Sequence, residues 1–116
     1  MGNTAIEIDT LQQLKTDLGD EFITELVDTY CTETPELIVS LQNAYKDQDS
    51  ETFRRAAHSI KSSSASLGAM RLSEQARQLE MIGKSGDLSE AAGQLDNLEA
   101  EYTLVQKELT ELVHGA

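Results

Sequence analysis

The sequence predicts an all-α fold, an antiparallel up-down-up-down four-helix bundle with a short extra N-terminal helix. Apolar residues recur at helical spacing through most of the 116 residues. A single proline and seven glycines leave few breaks, and strand-like runs of β-branched and aromatic residues are absent. Because aromatic residues make up 4% of the chain and tryptophan is missing, the core must be aliphatic.

The length fits one domain covering residues 1–116. We expect about residues 1–8 to be loosely ordered, with the covering of one end of the bundle by Ile6 and Ile8 as the alternative. Asp9 or Thr10 is placed to cap a first helix. That helix ends at Leu18, because a glycine follows it and the next helix begins directly afterwards.

The second helix begins at Asp20 and meets the only proline of the chain. Thr34 can cap a new helix with Pro35 at its first position, or Pro35 can kink one long helix. The apolar phase continues across the proline, so we favour a kinked single helix to about Tyr45. Its predicted apolar residues are Phe22, Ile23, Leu26, Val27, Tyr30, Leu37, Leu41 and Tyr45.

The third helix is predicted over about residues 51–66. The polar run at 46–49 indicates a tight turn, and Asp49 or Ser50 is placed to cap the helix that follows. Gly68 has the position of a C-terminal stop.

Two further helices complete the predicted bundle. The fourth runs from about Ala69 to Gly83 and ends in a glycine-containing turn. Asp87 and Glu90 have the spacing of a capping box, which predicts the start of a last helix that continues to about Val113.

The third helix carries one of the two histidines on its predicted solvent face. His58 lies about 140° around the helix from the centre of the apolar stripe, so its imidazole should point to solvent. A cation lies one turn away and small side chains surround the ring, as a group that enters another protein's active site requires. The predicted stripe is Phe53, Ala56, Ala57, Ile60, Ser64 and Leu67, and the histidine side also holds Arg54, Lys61, Ser62 and Ala65.

Four serines in five positions are a poor choice for helix propensity. For Ser63 and Ser64, close packing of helices is as good an explanation as any functional one. For Ser62 and Ala65, which share the side of His58, clearance for an incoming group is the better explanation.

The charge and cysteine content exclude several classes of function. A formal net charge of −12 argues against nucleic-acid binding and against an anionic membrane surface. The single cysteine, Cys31, excludes an internal disulfide and suits a reducing compartment. The sequence shows neither a signal-peptide pattern nor a long apolar run, so the expected location is cytoplasmic.

The segment Ala57-His58-x-x-Lys61-Ser62-Ser63-Ser64-x-x-x-Gly68-Ala69, followed by Leu72, Leu79-Glu80 and Gly86-Asp87-Leu88, resembles the histidine-containing phosphotransfer (HPt) domain of multistep phosphorelays. The resemblance covers essentially the whole chain. It implies that His58 accepts a phosphoryl group from an aspartyl-phosphate on a receiver domain and passes it to another receiver's aspartate. One departure is Ser62, where the family more often has glycine.

The resemblance also implies roles for neighbouring residues. Lys61 and Ser62 would contact the phosphoryl oxygens, and Glu80 would hold Nδ1–H of the imidazole so that Nε2 faces outward. The alternatives are a solvated lysine and a surface glutamate that pairs with Arg77 or Lys84. The expected docking residues are Arg54, Arg55, Ala65, Arg71 and Lys84.

The implied protein is a phosphocarrier without catalytic activity of its own. Its implied partners are receiver domains of a hybrid sensor kinase and of a response regulator, and we expect a monomer. No cofactor or metal is expected on this chain, because the receiver supplies the Mg²⁺.

Three alternatives fit the sequence less well than the phosphorelay interpretation. A di-iron bundle needs two Glu-x-x-His pairs, and only Glu111-x-x-His114 fits, close to the C-terminus. A helical adaptor explains the bundle but not the outward histidine. The P1 domain of a chemotaxis kinase, which is phosphorylated from ATP, more often has glycines where this chain has serines.

Overall fold

The computed structural model describes residues 5–115, which form five α-helices and, within that range, no strand. The four longer helices form a bundle in which α3 lies between α2 and α4, and α5 closes the ring against both. The predicted all-α class and the short N-terminal helix are confirmed. The helices are α1 (Ile8–Leu18), α2 (Asp20–Asp47), α3 (Ser50–Ser66), α4 (Met70–Ser85) and α5 (Ala91–His114).

Neighbouring helices run in opposite directions. The connection between α2 and α3 consists of residues 48–49 alone, so these helices fold back on each other. For α3 with α4, and for α2 with α5, residue numbers rise on one helix as they fall on the other, which gives the up-down-up-down order. The pairs are Lys61–Ser73 and Arg54–Gly83 for α3 with α4, and Gln42–Glu99 and Asp28–His114 for α2 with α5.

Pro35 lies inside α2, so the single-helix interpretation is confirmed. Proline has no N–H, and the carbonyl that lacks its helical donor is that of Cys31, four residues earlier. The Tyr102 hydroxyl of α5 donates a hydrogen bond to this carbonyl oxygen at 3.4 Å. The neighbouring helix thus satisfies the group that the proline leaves without a partner.

The buried face of α2 begins one residue later than the sequence suggested. Ile23, Val27 and Tyr30 are buried, whereas the Phe22 side chain, which keeps helical spacing with Tyr30, is 52% exposed. Positions 22 and 23 are about 100° apart on a helix, and the rotation of α2 turns Ile23 toward the core and Phe22 toward solvent.

The segment before α1 was expected to be loose, but its described part is held against the bundle. Ala5 and Ile6 are buried, and the Glu108 carboxylate accepts hydrogen bonds from both of their backbone N–H groups at 2.8–3.0 Å. The Glu7 N–H also donates to the Gly68 carbonyl at 2.8 Å. Residues 1–4 of the predicted loose segment lie outside the described residues.

The ends of α3 follow the predicted signals. The Asp49 carboxylate accepts hydrogen bonds from the Thr52 N–H and hydroxyl, so Asp49 rather than Ser50 is the cap. Gly68 has a φ of +84°, and a Cβ there would lie 3.0 Å from the Glu7 carbonyl oxygen. Both the left-handed backbone and the close approach of the N-terminal segment therefore require glycine.

The predicted start of α5 at Asp87 is wrong, because the helix begins at Ala91. The Asp87 carboxylate accepts the Ser89 N–H at 3.0 Å and stabilises a turn, while the buried Leu88 anchors that turn to the core. At this end of α5 the side chain of Glu90 makes no capping bond. Within residues 5–115, no helix has both the length and the apolarity that a membrane crossing needs.

Candidate functional site

His58 lies in the middle of α3 with its ring 54% exposed. The neighbouring Ala57 and Ile60 are fully buried, so the face that they occupy is fixed against the core. All of the predicted apolar stripe of α3 is buried, and this burial turns the imidazole outward. The predicted exposure of His58 is confirmed.

Glu80 reaches the imidazole from α4. Its side chain is almost completely buried, with Oε2 2.9 Å from Nδ1 of His58 and Oε1 2.8 Å from Nζ of Lys61. Hydrogen bonding from Lys61 holds the pKa of Glu80 below its usual range, His58 adds to this, and burial opposes it. The carboxylate is therefore ionised at neutral pH.

An ionised carboxylate only accepts hydrogen bonds, so Nδ1 of His58 must be the donor. The neutral imidazole then carries its proton on Nδ1 and a lone pair on Nε2. Because Glu80 lies on the inner side of the ring, the lone pair of Nε2 faces solvent. The arrangement presents an exposed nitrogen nucleophile in one fixed tautomer.

The lowered pKa of Glu80 makes its contribution to stability depend on pH. Since the folded pKa lies below the unfolded one, the contribution is complete above the ordinary glutamate pKa of about 4.3 and is lost as pH falls through the folded value. We expect the difference in unfolding free energy between wild type and Glu80→Gln to be largest near neutral pH and to shrink at acid pH.

Urea unfolding over a pH series measures this difference. Glu36→Gln, on the exposed side of α2, is the control and should have a small effect at every pH. A difference for Glu80→Gln that stays constant from neutral to strongly acid pH contradicts the ionised pairing.

Lys61 is not a freely solvated lysine. Its side chain is 30% exposed, lies one helical turn from His58 and is ion-paired with Glu80. The interpretation of Glu80 as a surface charge paired with Arg77 or Lys84 is wrong, because Glu80 is buried and Arg77 pairs with Glu74 at 2.6 Å.

The serine run divides into different environments. Ser64 is buried, and its hydroxyl shares a 2.7 Å hydrogen bond with Tyr30 of α2, whose pKa is raised by burial to about 12. Ser63 is partly buried and bonds back to the Ser59 carbonyl at 3.0 Å. Ser62 is exposed one turn from His58, and within residues 5–115 no group hydrogen-bonds its hydroxyl.

Three of the predicted docking cations lie near the site. Arg54 is partly buried and pairs with Glu51 at 2.6 Å, and the more exposed Arg55 contacts the same carboxylate at 3.1 Å. Lys84 is exposed one turn beyond Glu80 on α4, at the level where α4 meets Arg54. Ala65 is partly exposed two turns from His58 on α3.

The structure does not bring Arg71 to this site. Arg71 lies at the start of α4, nine residues before Glu80, which places the two about 180° apart around the helix. Its guanidinium pairs instead with the buried carboxylate of Glu101 on α5, at 3.2 Å. The grouping of Arg71 with His58 rested on closeness in sequence, whereas its ion pair faces another helix.

A groove between α2 and α3 was not predicted from the sequence. It encloses about 250 Å³ and lies beside the side of α3 that carries His58. Leu26 and Leu37 are among the predicted apolar residues of α2, and the fold leaves both of them only partly buried. The lining includes Leu26, Tyr30, Thr34, Leu37, Ser59 and Ser63.

No three histidine, cysteine, aspartate or glutamate side chains in the described part of the chain are grouped as metal ligands. A helical bundle that presents an exposed, oriented imidazole beside a lysine and a buried carboxylate defines a class, the histidine phosphocarriers.

Comparison with known proteins gives the family. The Hpt domain model matches residues 25–114, so the chain belongs to the Hpt domain family, whose members take part in histidine phosphotransfer in phosphorelays. The structure is similar to that of histidine-containing phosphotransfer protein B from Pseudomonas aeruginosa PAO1, with a TM-score of 0.91 and 25% identity over 99% of both chains. No curated protein matched the sequence.

Proposed function

We propose that Nε2 of His58 accepts a phosphoryl group from the aspartyl-phosphate of a hybrid sensor kinase's receiver domain and passes it to the receiver aspartate of a response regulator. The observation that carries this proposal is the exposed imidazole with its Nδ1 held by the buried Glu80 carboxylate. The Nε2–P bond forms as the P–O bond of the acyl phosphate breaks, and the receiver regains its carboxylate. The imidazole becomes cationic, keeps its Nδ1 proton and is stabilised by Glu80.

Lys61 and Ser62 are proposed to stabilise the transferred group. Lys61 and the exposed Ser62 lie one helical turn from His58, on the side of α3 where a phosphoryl group bonded to Nε2 would be. Phosphoryl transfer depends mainly on alignment and neutralisation of charge. We propose that the receiver supplies the Mg²⁺ and that this protein alone catalyses no reaction.

The surface around His58 is proposed as the receiver-docking face. Arg54, Arg55 and Lys84 supply positive charge on an acidic protein, and Ala65 leaves clearance. The groove between α2 and α3 adds apolar surface beside the side of α3 that carries His58. A monomer suffices for this role, because the groups around the reacting nitrogen all come from one chain.

Replacing Lys61 with alanine should slow phosphoryl transfer while the protein stays folded. A charge-assisted hydrogen bond contributes about 1.5–3 kcal/mol, which corresponds to a rate loss of about ten- to a hundred-fold. The measurement is the initial rate of labelling from a phosphorylated receiver, with circular dichroism as the check on folding. Lys107→Ala, exposed on α5, is the control. An unchanged rate in the Lys61 variant contradicts its role.

The proposed function is tested by incubating the protein with a panel of phosphorylated receiver domains from the same genome. We expect rapid labelling from at least one receiver and onward transfer to another. Labelling only from ATP with a kinase domain would replace this proposal with a P1-type acceptor. Absence of labelling from both kinds of donor would leave a helical adaptor.

A further inference from the structure

Gly83 lies inside α4, where glycine is unfavourable for a helix. A Cβ at this position would lie 2.9 Å from both Cα and Cβ of Arg54 and 3.0 Å from its backbone nitrogen. The backbones of α3 and α4 therefore approach so closely here that no side chain fits between them. Since the contacted atoms are mainly backbone, a neighbouring side chain cannot move aside to make room.

This close approach lies one turn from the site. Gly83 is three residues after Glu80 on α4, and Arg54 is four residues before His58 on α3. The contact therefore fixes the separation of the two helices beside the hydrogen bond between Glu80 and His58, which measures 2.9 Å. A small increase in helix separation would move the carboxylate out of hydrogen-bond range of Nδ1.

We propose that Gly83 is a positioning residue for phosphoryl transfer, because its lack of a side chain sets the helix spacing that lets Glu80 hold the imidazole tautomer. This inference rests on the proposed function of His58. Gly83 touches neither the reacting nitrogen nor the phosphoryl group, and it acts through Glu80.

The chain offers a matched control. Gly93 lies inside α5, and a Cβ there would meet no atom within 4 Å. Gly83→Ala and Gly93→Ala make the same chemical change inside a helix, so only the first alters the spacing between α3 and α4.

The test uses the full chain with ¹⁵N-labelled histidine. The ring nitrogens of His58 are observed by NMR at a pH where the ring is neutral, and transfer from a phosphorylated receiver is timed. Wild type and Gly93→Ala should show the proton on Nδ1. Gly83→Ala should gain the Nε2–H form that free histidine favours, and its transfer rate should fall about ten-fold or more.

A folded Gly83→Ala protein that keeps both the Nδ1–H form and the wild-type rate would overturn the inference. If that variant does not fold, Glu80→Asp decides, because it withdraws the carboxylate while Gly83 stays in place. If Glu80→Asp loses the Nδ1–H form, the result supports the inference that the spacing of α3 and α4 controls the tautomer of His58. If Glu80→Asp keeps the Nδ1–H form, the inference is overturned. If wild type accepts no phosphoryl group, the proposed function fails, while the NMR comparison still decides the role of Gly83.

Discussion

Replacing His58 with glutamine should abolish phosphoryl acceptance and leave the bundle folded. The ring is more than half exposed and contributes little to the core, so folding loses mainly its hydrogen bond to the ionised Glu80 carboxylate, about 1.5–3 kcal/mol. Acceptance needs the Nε2 nucleophile, which glutamine lacks. The measurement is acid-labile, alkali-stable label from a phosphorylated receiver, together with the circular dichroism spectrum.

His114→Gln is the control for that experiment. His114 is the other histidine of the chain, near the end of α5, where its Nε2 lies 2.8 Å from an Asp28 carboxylate oxygen. Its carboxylate partner is exposed, unlike the buried Glu80 beside His58, so the variant should be labelled as wild type is. Label that persists in His58→Gln would refute the assigned acceptor.

Phe53→Ala should destabilise the protein by about 3–5 kcal/mol, a large part of the stability of a small domain. Phe53 is fully buried in α3, where it anchors the turn before the histidine to the core. Phe22→Ala is the matched control, because its ring is half exposed and its loss should cost less than about 1 kcal/mol. Urea unfolding measures the loss of unfolding free energy in both variants. Equal losses would contradict the rotation of α2 that leaves Phe22 exposed.

The sequence predicts α3 well because several signals agree there. The apolar stripe, the Asp49 cap and the Gly68 stop all specify one helix in one rotation, which places His58 in solvent. Glu80 is a different case. Helical periodicity puts it on α4, but only the family resemblance suggested that it meets the imidazole, because such a contact depends on the packing of two helices.

Several features that sequence reasoning left undecided depend on contacts between distant parts of the chain. Phe22 and Ile23 are both apolar, and only the packing of α2 decides which one is buried. Ile6 is buried because Glu108 holds the N-terminal segment from across the bundle. Arg71 faces away from Glu80 because nine residues separate the two on α4. Its pairing with Glu101 of α5 became visible only in the fold.

The proposed role of Glu80 determines which ring nitrogen of His58 reacts. After transfer from a receiver to ¹⁵N-histidine-labelled protein, ³¹P–¹⁵N correlation NMR identifies the phosphorylated nitrogen directly. Because Glu80 holds Nδ1 and leaves Nε2 in solvent, the phosphoryl group should be bonded to Nε2 of His58, with Nδ1 still protonated. A phosphoryl group on Nδ1, or on any residue other than His58, would contradict the account.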